Sequence, residues 1–366
     1  MSAATRERPA CYRVVSRVHD DDIHGIVVTP ASKEGQKIIS GSKDTTVKIF
    51  DLEGNFERVL SQNPAGSSYQ NWVTAIDIFP DGSFLAGHRN AYLLCRSFLR
   101  KETFMSQKME PLLSEDREWP PVGGAGSGGK AYKKRNEKRV MAVKTAFEKD
   151  SSAYLAFVGF AEIFCKIDCG SGEIVKQYQF SAREWVYGFQ ALSPTVFLAI
   201  HGCRLSLFSE EEESFRLQET LVDEDFKARK KRGIQQSPFI SSVLSMPSSG
   251  ESGEQVALSF FGGVNQVLDV KSGKAIHSAQ EHSERVWQAV PFSPFEYATC
   301  ADDAWIKLWD IRSGTSSVKT YGGHPGRVSA LAFLSDKQFV AGTCAPDPFA
   351  DPHKGEFYFY DCRGTK

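Results

Sequence analysis

One stretch of the sequence, residues 281–321, reads EHSERVWQAVPFSPFEYATCADDAWIKLWDIRSGTSSVKTY. Four short runs typical of strands alternate in it with turn residues: Val286–Phe292, Tyr297–Cys300, Trp305–Trp309 and Ser317–Tyr321. Apolar runs of this length between Ser-Pro, Asp-Asp and Ser-Gly turns predict short antiparallel strands. The stretch therefore predicts one small four-stranded sheet.

Six other segments repeat this pattern in weaker form. Their first strands are predicted at Ile23–Pro30, Val73–Pro80, Val140–Phe147, Val186–Pro194, Ile240–Met246 and Val328–Phe333. Their third strands are predicted at Thr46–Asp51, Tyr92–Ser97, Cys165–Asp168, Leu205–Phe208, Val267–Asp269 and Phe357–Asp361. Four strands in a repeat of about 40 residues indicate a blade. We predict an all-β fold, a seven-bladed β-propeller with four antiparallel strands in each blade.

The last repeat stops soon after Asp361 and lacks an outer strand. Residues 11–18, which precede the first repeat, have the alternation of a strand. We expect this N-terminal strand to complete the seventh blade, because closure removes exposed sheet edges. Residues 1–366 are then a single propeller domain, with insertion loops at about 99–138, 210–236 and 344–354.

The repeats resemble those of the WD-repeat family along nearly the whole chain. In that family a His, a Ser or Thr, an Asp and a Trp form a buried hydrogen-bonded tetrad. The sixth repeat matches in full and the first matches with Phe50 in place of Trp: His282, Thr299, Asp303, Trp309, and His19, Ser40, Asp44. Phe50 has no N–H donor, so its hydrogen-bond chain should end one partner short. The resemblance implies a structural role for these residues and no catalysis.

The overall charge is balanced, with 44 Lys and Arg against 45 Asp and Glu. This balance gives no general attraction to nucleic acid or anionic membrane. Residues 1–9 are polar and no long apolar run occurs, so we expect neither a signal peptide nor a membrane span. The eight cysteines contain no Cys-x-x-Cys pair and are expected to be reduced thiols. We expect a cytoplasmic location, or a nuclear one if the basic clusters act as a nuclear localisation signal.

Motifs that carry chemistry are incomplete in this sequence. Residues 124–130 fit the spacing of a phosphate-binding loop, but Ala131 stands where Mg²⁺ needs a Ser or Thr. Cys165 and Cys169 lack zinc-site spacing, and the acidic run before His24 lies in a loop where polar residues are ordinary. We predict no enzymatic activity, no cofactor and no metal.

The residue just before each inner strand should point into one rim of the ring. These residues are Asp22, Trp72, Arg139, Trp185, Phe239, Arg285 (or Val286) and Arg327. Aromatic and Arg side chains dominate binding hot spots. Aromatic side chains bury a large, rigid surface, and Arg makes paired hydrogen bonds to carboxylates. We predict a protein-interaction scaffold for other proteins. Its top rim is expected to bind a peptide or loop with an acidic or phosphorylated group beside an apolar residue.

Two alternatives stay open. Arg312 lies in a Trp-Asp-x-Arg box and Arg363 in a looser copy, which would contact the adaptor of a cullin-type ubiquitin ligase if the chain were a substrate receptor. Basic clusters at 133–139 and 227–232 would instead bind RNA or another polyanion. In each case we expect a monomer that works within a larger complex.

Overall fold

The strands pair in seven separate antiparallel sheets of four strands each. The computed structural model of the chain describes residues 11–32, 35–62, 71–97, 103–109, 139–148, 153–160, 163–179, 186–192, 196–202, 204–209, 215–218, 239–247, 254–335, 338–344 and 354–362. Strand is the only regular element of more than one residue within these ranges. The predicted all-β, seven-bladed propeller is confirmed.

The first four blades follow the chain in order. Blade 1 contains β2 (Ile23–Val28), β3 (Ile38–Ser42), β4 (Thr46–Phe50) and β5 (Phe56–Gln62). Blade 2 contains β6 (Val73–Ile78), β7 (Phe84–His88), β8 (Tyr92–Arg96) and β9 (Thr103–Lys108). Blade 3 contains β10 (Ala142–Glu148), β11 (Ala153–Gly159), β12 (Ile163–Asp168) and β13 (Ile174–Gln179). Blade 4 contains β14 (Val186–Ala191), β15 (Val196–His201), β16 (Arg204–Ser209) and β17 (Phe215–Gln218).

The last three blades complete the ring. Blade 5 contains β18 (Ile240–Ser245), β19 (Gln255–Phe260), β20 (Val264–Asp269) and β21 (Ala275–Gln280). Blade 6 contains β22 (Val286–Pro291), β23 (Glu296–Ala301), β24 (Ile306–Asp310) and β25 (Lys319–Tyr321). Blade 7 contains β26 (Val328–Ser335), β27 (Gln338–Thr343), β28 (Gly355–Asp361) and the N-terminal β1 (Arg13–His19).

Blade 7 is built from both ends of the described chain. Strand β1 pairs with β28, with Arg13 opposite Phe359 and Val15 opposite Phe357. A register shift then separates Val15 from His19. The N-terminal strand therefore closes the ring, as the sequence predicts, and tethers the first blade to the last.

The hydrophobic core is divided among the contacts between blades. Among the described residues, seven clusters of buried side chains occur, and each joins two neighbouring blades. The second strand of a blade has neighbours on both faces, which is why β3 and β7 are buried at every residue. Each blade is thus stabilised chiefly by its two neighbours.

Glycine in a second strand lets adjacent blades approach closely. A Cβ added at Gly41 would lie 2.5 Å from Val73 Cγ1, and one at Gly87 would lie 2.5 Å from Val140 Cγ1. Both valines begin the inner part of the following blade and are fully buried. The glycines therefore set the distance at which one blade packs on the next.

The three predicted insertions fall largely outside the described residues. Within them the structure describes β9, β17, Cys344 and Lys354. Strands β9 and β17 are the outer strands of blades 2 and 4.

Candidate functional site

Each inner strand begins with a repeated three-residue step at one end of its blade. The step has a variable residue, then a buried Ile or Val, then a second variable residue, as in Arg285-Val286-Trp287. In six blades the strand register shifts immediately after the buried residue. Such a bulge re-aims the third residue of the step. Because Val286 is fully buried, Arg285 and not Val286 is the rim residue of blade 6.

A turn between the second and third strands lies beside this step. In five blades the first residue of the turn donates its backbone N–H to the carbonyl of the residue before the inner strand: Lys43 to Asp22, Arg89 to Trp72, Phe261 to Phe239, Asp302 to Arg285, and Cys344 to Arg327. The repeated hydrogen bond brings two variable side chains together at the same end of each blade. We call this end of the propeller the top.

Aromatic rings and a guanidinium stack where blades 5 and 6 meet. The Arg285 Cζ lies 3.7 Å from the Phe261 ring centroid and 3.6 Å from the Trp287 ring centroid. Trp287 Nε1 donates to Asp302 Oδ1 at 2.6 Å, which holds the indole in place. Burial is the main cause that lowers the pKa of Arg285 to about 10, so the side chain stays charged at neutral pH. This is a rigid, partly dehydrated cation between aromatic rings.

Asp22 connects the last blade to the first. Arg327 donates to Asp22 Oδ2 at 2.8 Å, and Lys43 forms an ion pair with the same oxygen. Desolvation acts to raise the pKa of Asp22, but Lys43 and then Arg327 outweigh it, so the net pKa is lowered. Asp22 is 5% exposed. Its carboxylate faces these two cations inside the protein and holds them in position.

Trp72 is the aromatic centre of the surface on blade 2. Lys43 Nζ lies 4.9 Å from the Trp72 ring centroid and Arg89 Cζ lies 5.1 Å from it. His24 contacts Trp72 edge-on at a centroid distance of 6.2 Å. Desolvation, followed by the charge of Lys43, lowers the pKa of His24 to about 4, so His24 is neutral at pH 7. Trp72 is half-buried and presents its remaining area at the top.

A smaller aromatic group extends the surface over blades 4 and 5. Tyr187 and Phe239 both contact the Phe261 ring edge-on, at centroid distances of 5.4 Å and 6.1 Å respectively. Phe239 is 43% exposed. An apolar side chain of a partner would bury area against Phe239 and these rings.

These contacts form one continuous surface across six blades. We call it the rim band, and its members are Tyr187, Phe239, Phe261, Arg285, Trp287, Arg327, Asp22, Lys43, Trp72 and Arg89. Lys43, Arg89, Phe261, Trp287 and Tyr187 were missed by the sequence analysis. The signal for Lys43 and Arg89 lies in their position one residue before Asp44 and Asn90 of the blade turns.

The structure brings most of the predicted rim residues into the band. Asp22 and Arg327 form an ion pair, Phe239 reaches Arg285 through Phe261, and Trp72 reaches Asp22 through Lys43. Arg139 occupies the equivalent position before the inner strand of blade 3. Trp185, Arg363 and the basic clusters, apart from Arg139, lie outside the described residues.

Comparison with known proteins gives the family of these repeats. The family described as WD domain, G-beta repeat, matches residues 11–51 and 315–347. The chain superposes on the crystal structure of RRP9 WD40 repeats with a TM-score of 0.71 at 14% identity, covering 98% of this chain and 99% of that one. The structure of U3-55K gives a TM-score of 0.70 at 14% identity, covering 96% and 99%. The chain carries WD repeats in the two matched segments and has the fold of a WD40 β-propeller.

Two curated relatives of this WD-repeat propeller match over a shorter stretch. Protein SPA1-RELATED 4 and Protein SPA1-RELATED 3 of Arabidopsis thaliana are 34% and 35% identical over 116 residues. That stretch is 31% of this chain but only 13% and 12% of those proteins. Propellers of the WD family are typically protein-interaction scaffolds and are generally not enzymes.

The WD tetrad of blade 6 is hydrogen-bonded throughout. His282 Nδ1 lies 2.8 Å from Asp303 Oδ2, and His282 Nε2 lies 2.8 Å from Thr299 Oγ1. Trp309 Nε1 donates to Thr299 Oγ1 at 2.8 Å. Since a carboxylate only accepts, Nδ1 carries the His282 proton and Nε2 accepts from the Thr299 hydroxyl. Both ring nitrogens of His282 are therefore hydrogen-bonded within the blade, which gives this side chain a structural role.

The tetrad of blade 1 is shorter by one donor. His19 Nδ1 lies 2.8 Å from Asp44 Oδ2, and His19 Nε2 lies 2.7 Å from Ser40 Oγ. Phe50 occupies the position of Trp309 and is 1% exposed. Its ring packs edge-on against Phe357 of blade 7 at 5.0 Å, so the site contributes packing in place of a hydrogen bond.

Arg312 of the Trp-Asp-x-Arg box lies at the opposite end of blade 6 from the rim band. Its guanidinium donates twice to Asp310, at 2.9 Å and 2.7 Å, and lies over the Phe295 ring at 4.5 Å. The side chain is exposed.

Helices that could cross a lipid bilayer are lacking in the ranges that the structure describes.

Proposed function

We propose that this WD propeller is a protein-interaction scaffold whose rim band binds a peptide or exposed loop of a partner protein. The observation that carries the proposal is the continuity of the band, in which cations and aromatic rings from six blades contact one another. Residues of these types supply most hot spots at protein interfaces. An isolated Arg or Trp on a surface would not justify the same conclusion.

The band is organised before any partner arrives. Asp22 holds Lys43 and Arg327, and Asp302 holds Trp287. A partner therefore meets side chains whose rotamers are already restricted, which reduces the entropy lost on binding. The proposed partner segment combines an acidic group, which suits the cations, with an apolar side chain, which suits Phe239 and the rings near it.

The experiment compares the partners captured by the intact chain and by rim variants. Affinity purification from cells with quantitative mass spectrometry is done for wild type, Trp72→Ala, Arg327→Ala and Arg312→Ala. Trp72 and Arg327 lie on the rim band, whereas Arg312 lies at the opposite end and serves as the matched control. We expect a common set of proteins to be lost from both rim variants and kept by Arg312→Ala. If both rim variants keep every partner while remaining folded, the proposal is refuted.

A second candidate, a substrate receptor of a cullin-type ubiquitin ligase, rests on Arg312. The Arg312 side chain is exposed and its guanidinium is held by Asp310, which presents it in a fixed orientation. The same purification tests this candidate, because Arg312→Ala should then lose the ligase adaptor while the rim variants keep it. Absence of any adaptor from the wild-type purification would remove the candidate.

A further inference from the structure

Arg285 differs from Lys43 and Arg327 of the rim band, each of which forms an ion pair with Asp22. No hydrogen bond or ion pair to Arg285 side-chain nitrogens occurs among the described residues, and its buried Nε has no partner. Glu284, which precedes it, is exposed and makes no ion pair with it. Stacking on Phe261 and Trp287 does not replace these bonds, because guanidinium N–H groups point outward in the plane of the group.

Two carboxylates of this region, Asp302 and Asp22, already accept hydrogen bonds from other side chains. Asp302 is connected to Arg285 by a backbone hydrogen bond, yet its Oδ1 accepts from Trp287 Nε1. Asp22 is shared by Lys43 and Arg327. Trp287 is neutral, so Asp302 keeps its negative charge and attracts Arg285 through space. Asp302 makes no side-chain hydrogen bond or ion pair with Arg285 among the described residues, so the N–H groups of Arg285 are left without an acceptor.

A partly dehydrated guanidinium whose N–H groups make no hydrogen bond is costly, and an incoming anion relieves that cost. The rings cover the guanidinium carbon, so an anion reaches the N–H edge from the side. A planar carboxylate fits such an edge with two parallel hydrogen bonds. A phosphate dianion brings a second negative charge close to Asp22 and Asp302, which repel it.

We propose that Arg285 is the anchor for a single carboxylate of the partner, supplied by an acidic side chain or by a peptide C-terminus. The inference rests on the proposed function, since it specifies the acidic group recognised by the rim band. Phe239, Phe261 and Tyr187 lie next to the anchor and take the apolar neighbour of that carboxylate. The preferred peptide therefore carries a carboxylate next to an apolar residue, and it is not phosphorylated.

The probe is an array of random linear peptides, printed once with free C-termini and once with amidated C-termini. The purified full chain is applied as wild type, Arg285→Met, Arg285→Lys, Trp72→Ala and Arg312→Met. Methionine keeps an unbranched apolar side chain beside the rings. Lysine keeps the positive charge but lacks the two parallel N–H donors of a guanidinium. Equal thermal melting temperatures establish that Arg285→Met and Arg285→Lys are folded.

We expect the bound peptides to be rich in Asp or Glu, or to need a free C-terminus. Arg285→Met should weaken them about 30-fold, Arg285→Lys about tenfold, and Arg312→Met should leave them unchanged. Binding to amidated peptides assigns the carboxylate to a side chain, and binding only to free ends assigns it to the terminus. Either pattern supports the anchor.

Other outcomes overturn the inference and separate it from the proposed function. Peptides that bind without any carboxylate, or that bind Arg285→Met as well as wild type, remove the anchor. If Trp72→Ala still weakens those peptides, the rim band remains a binding surface. Tighter binding when the acidic residue is replaced by phosphoserine refutes the choice of carboxylate. If no peptide depends on either Trp72 or Arg285, both the anchor and peptide binding by the rim band are refuted.

Discussion

The indole N–H of Trp309 and the hydroxyl oxygen of Thr299 are 2.8 Å apart, and this hydrogen bond ties the third strand of blade 6 to its second strand. The corresponding pair in blade 1 is Phe50 and Ser40, which cannot make it. The two blades therefore provide an internal comparison of a complete and an incomplete tetrad. Both are buried, so an unpaired polar atom in either is unfavourable.

Thr299→Val should be more destabilising than Ser40→Ala. The valine leaves both the Trp309 N–H and His282 Nε2 unpaired, whereas the alanine leaves only His19 Nε2. Each buried polar atom left without a partner costs about 1–3 kcal/mol, so we expect losses of roughly 2–6 kcal/mol for Thr299→Val and roughly 1–3 kcal/mol for Ser40→Ala. Urea unfolding followed by tryptophan fluorescence measures both. Equal losses would show that the Trp309 hydrogen bond contributes nothing.

Gly41→Ala should destabilise the contact between blades 1 and 2. The new Cβ would lie 2.5 Å from Val73 Cγ1, and overpacking of this kind costs about 1–3 kcal/mol. Val73→Ala removes the clashing methyl groups, so the double variant should lose less stability than the sum of the two single variants. Thermal unfolding of all four proteins gives the coupling energy. Strict additivity would mean that Gly41 and Val73 do not limit the approach of the blades.

Ser241→Ala should weaken the contact between blades 5 and 6. Ser241 occupies the bulged position of blade 5, and its hydroxyl donates to the Val286 carbonyl at 2.5 Å. Thr74 makes the equivalent bond to the Val140 carbonyl at 2.8 Å, and Thr74→Val is the matched variant. We expect each substitution to cost about 1 kcal/mol. Hydrogen exchange should locate the added opening at the affected blade contact, and opening confined to other blades would contradict this role.

The sequence repeats were sufficient to predict the blades, because four short strands in each repeat leave few other folds. They were not sufficient to predict the rim band. Apolar alternation does not reveal the bulge that turns Trp287 toward Arg285, and the register of blade 6 remained open between Arg285 and Val286. Phe261 and Arg285 meet across a blade boundary, and such contacts depend on how blades pack. The aromatic and Arg residue types before the inner strands were enough to suggest an interface. That the Arg285 guanidinium has no hydrogen-bond partner among the described residues is visible only in the structure.

His201 should make the protein less stable as the pH falls below neutrality. It is 2% exposed, its Nε2 lies 2.8 Å from Ser206 Oγ, and desolvation, with the charge of Arg204, lowers its pKa to about 4. The unfolded chain protonates this imidazole near pH 6.5, whereas the folded chain resists protonation until about pH 4. Below pH 6.5 the unfolded state therefore binds the additional proton, and stability decreases as the pH drops through this window.

The variant His201→Gln isolates this contribution because glutamine does not titrate. At pH 7.5 the variant should be less stable than wild type, since it disturbs the Ser206 contact. As the pH falls from 6.5 to 4, wild type should lose up to about 3 kcal/mol more than the variant does. Urea unfolding at several pH values measures the difference. Parallel stability curves for the two proteins across this window would show that His201 titrates equally in both states, and that its burial in blade 4 does not resist protonation.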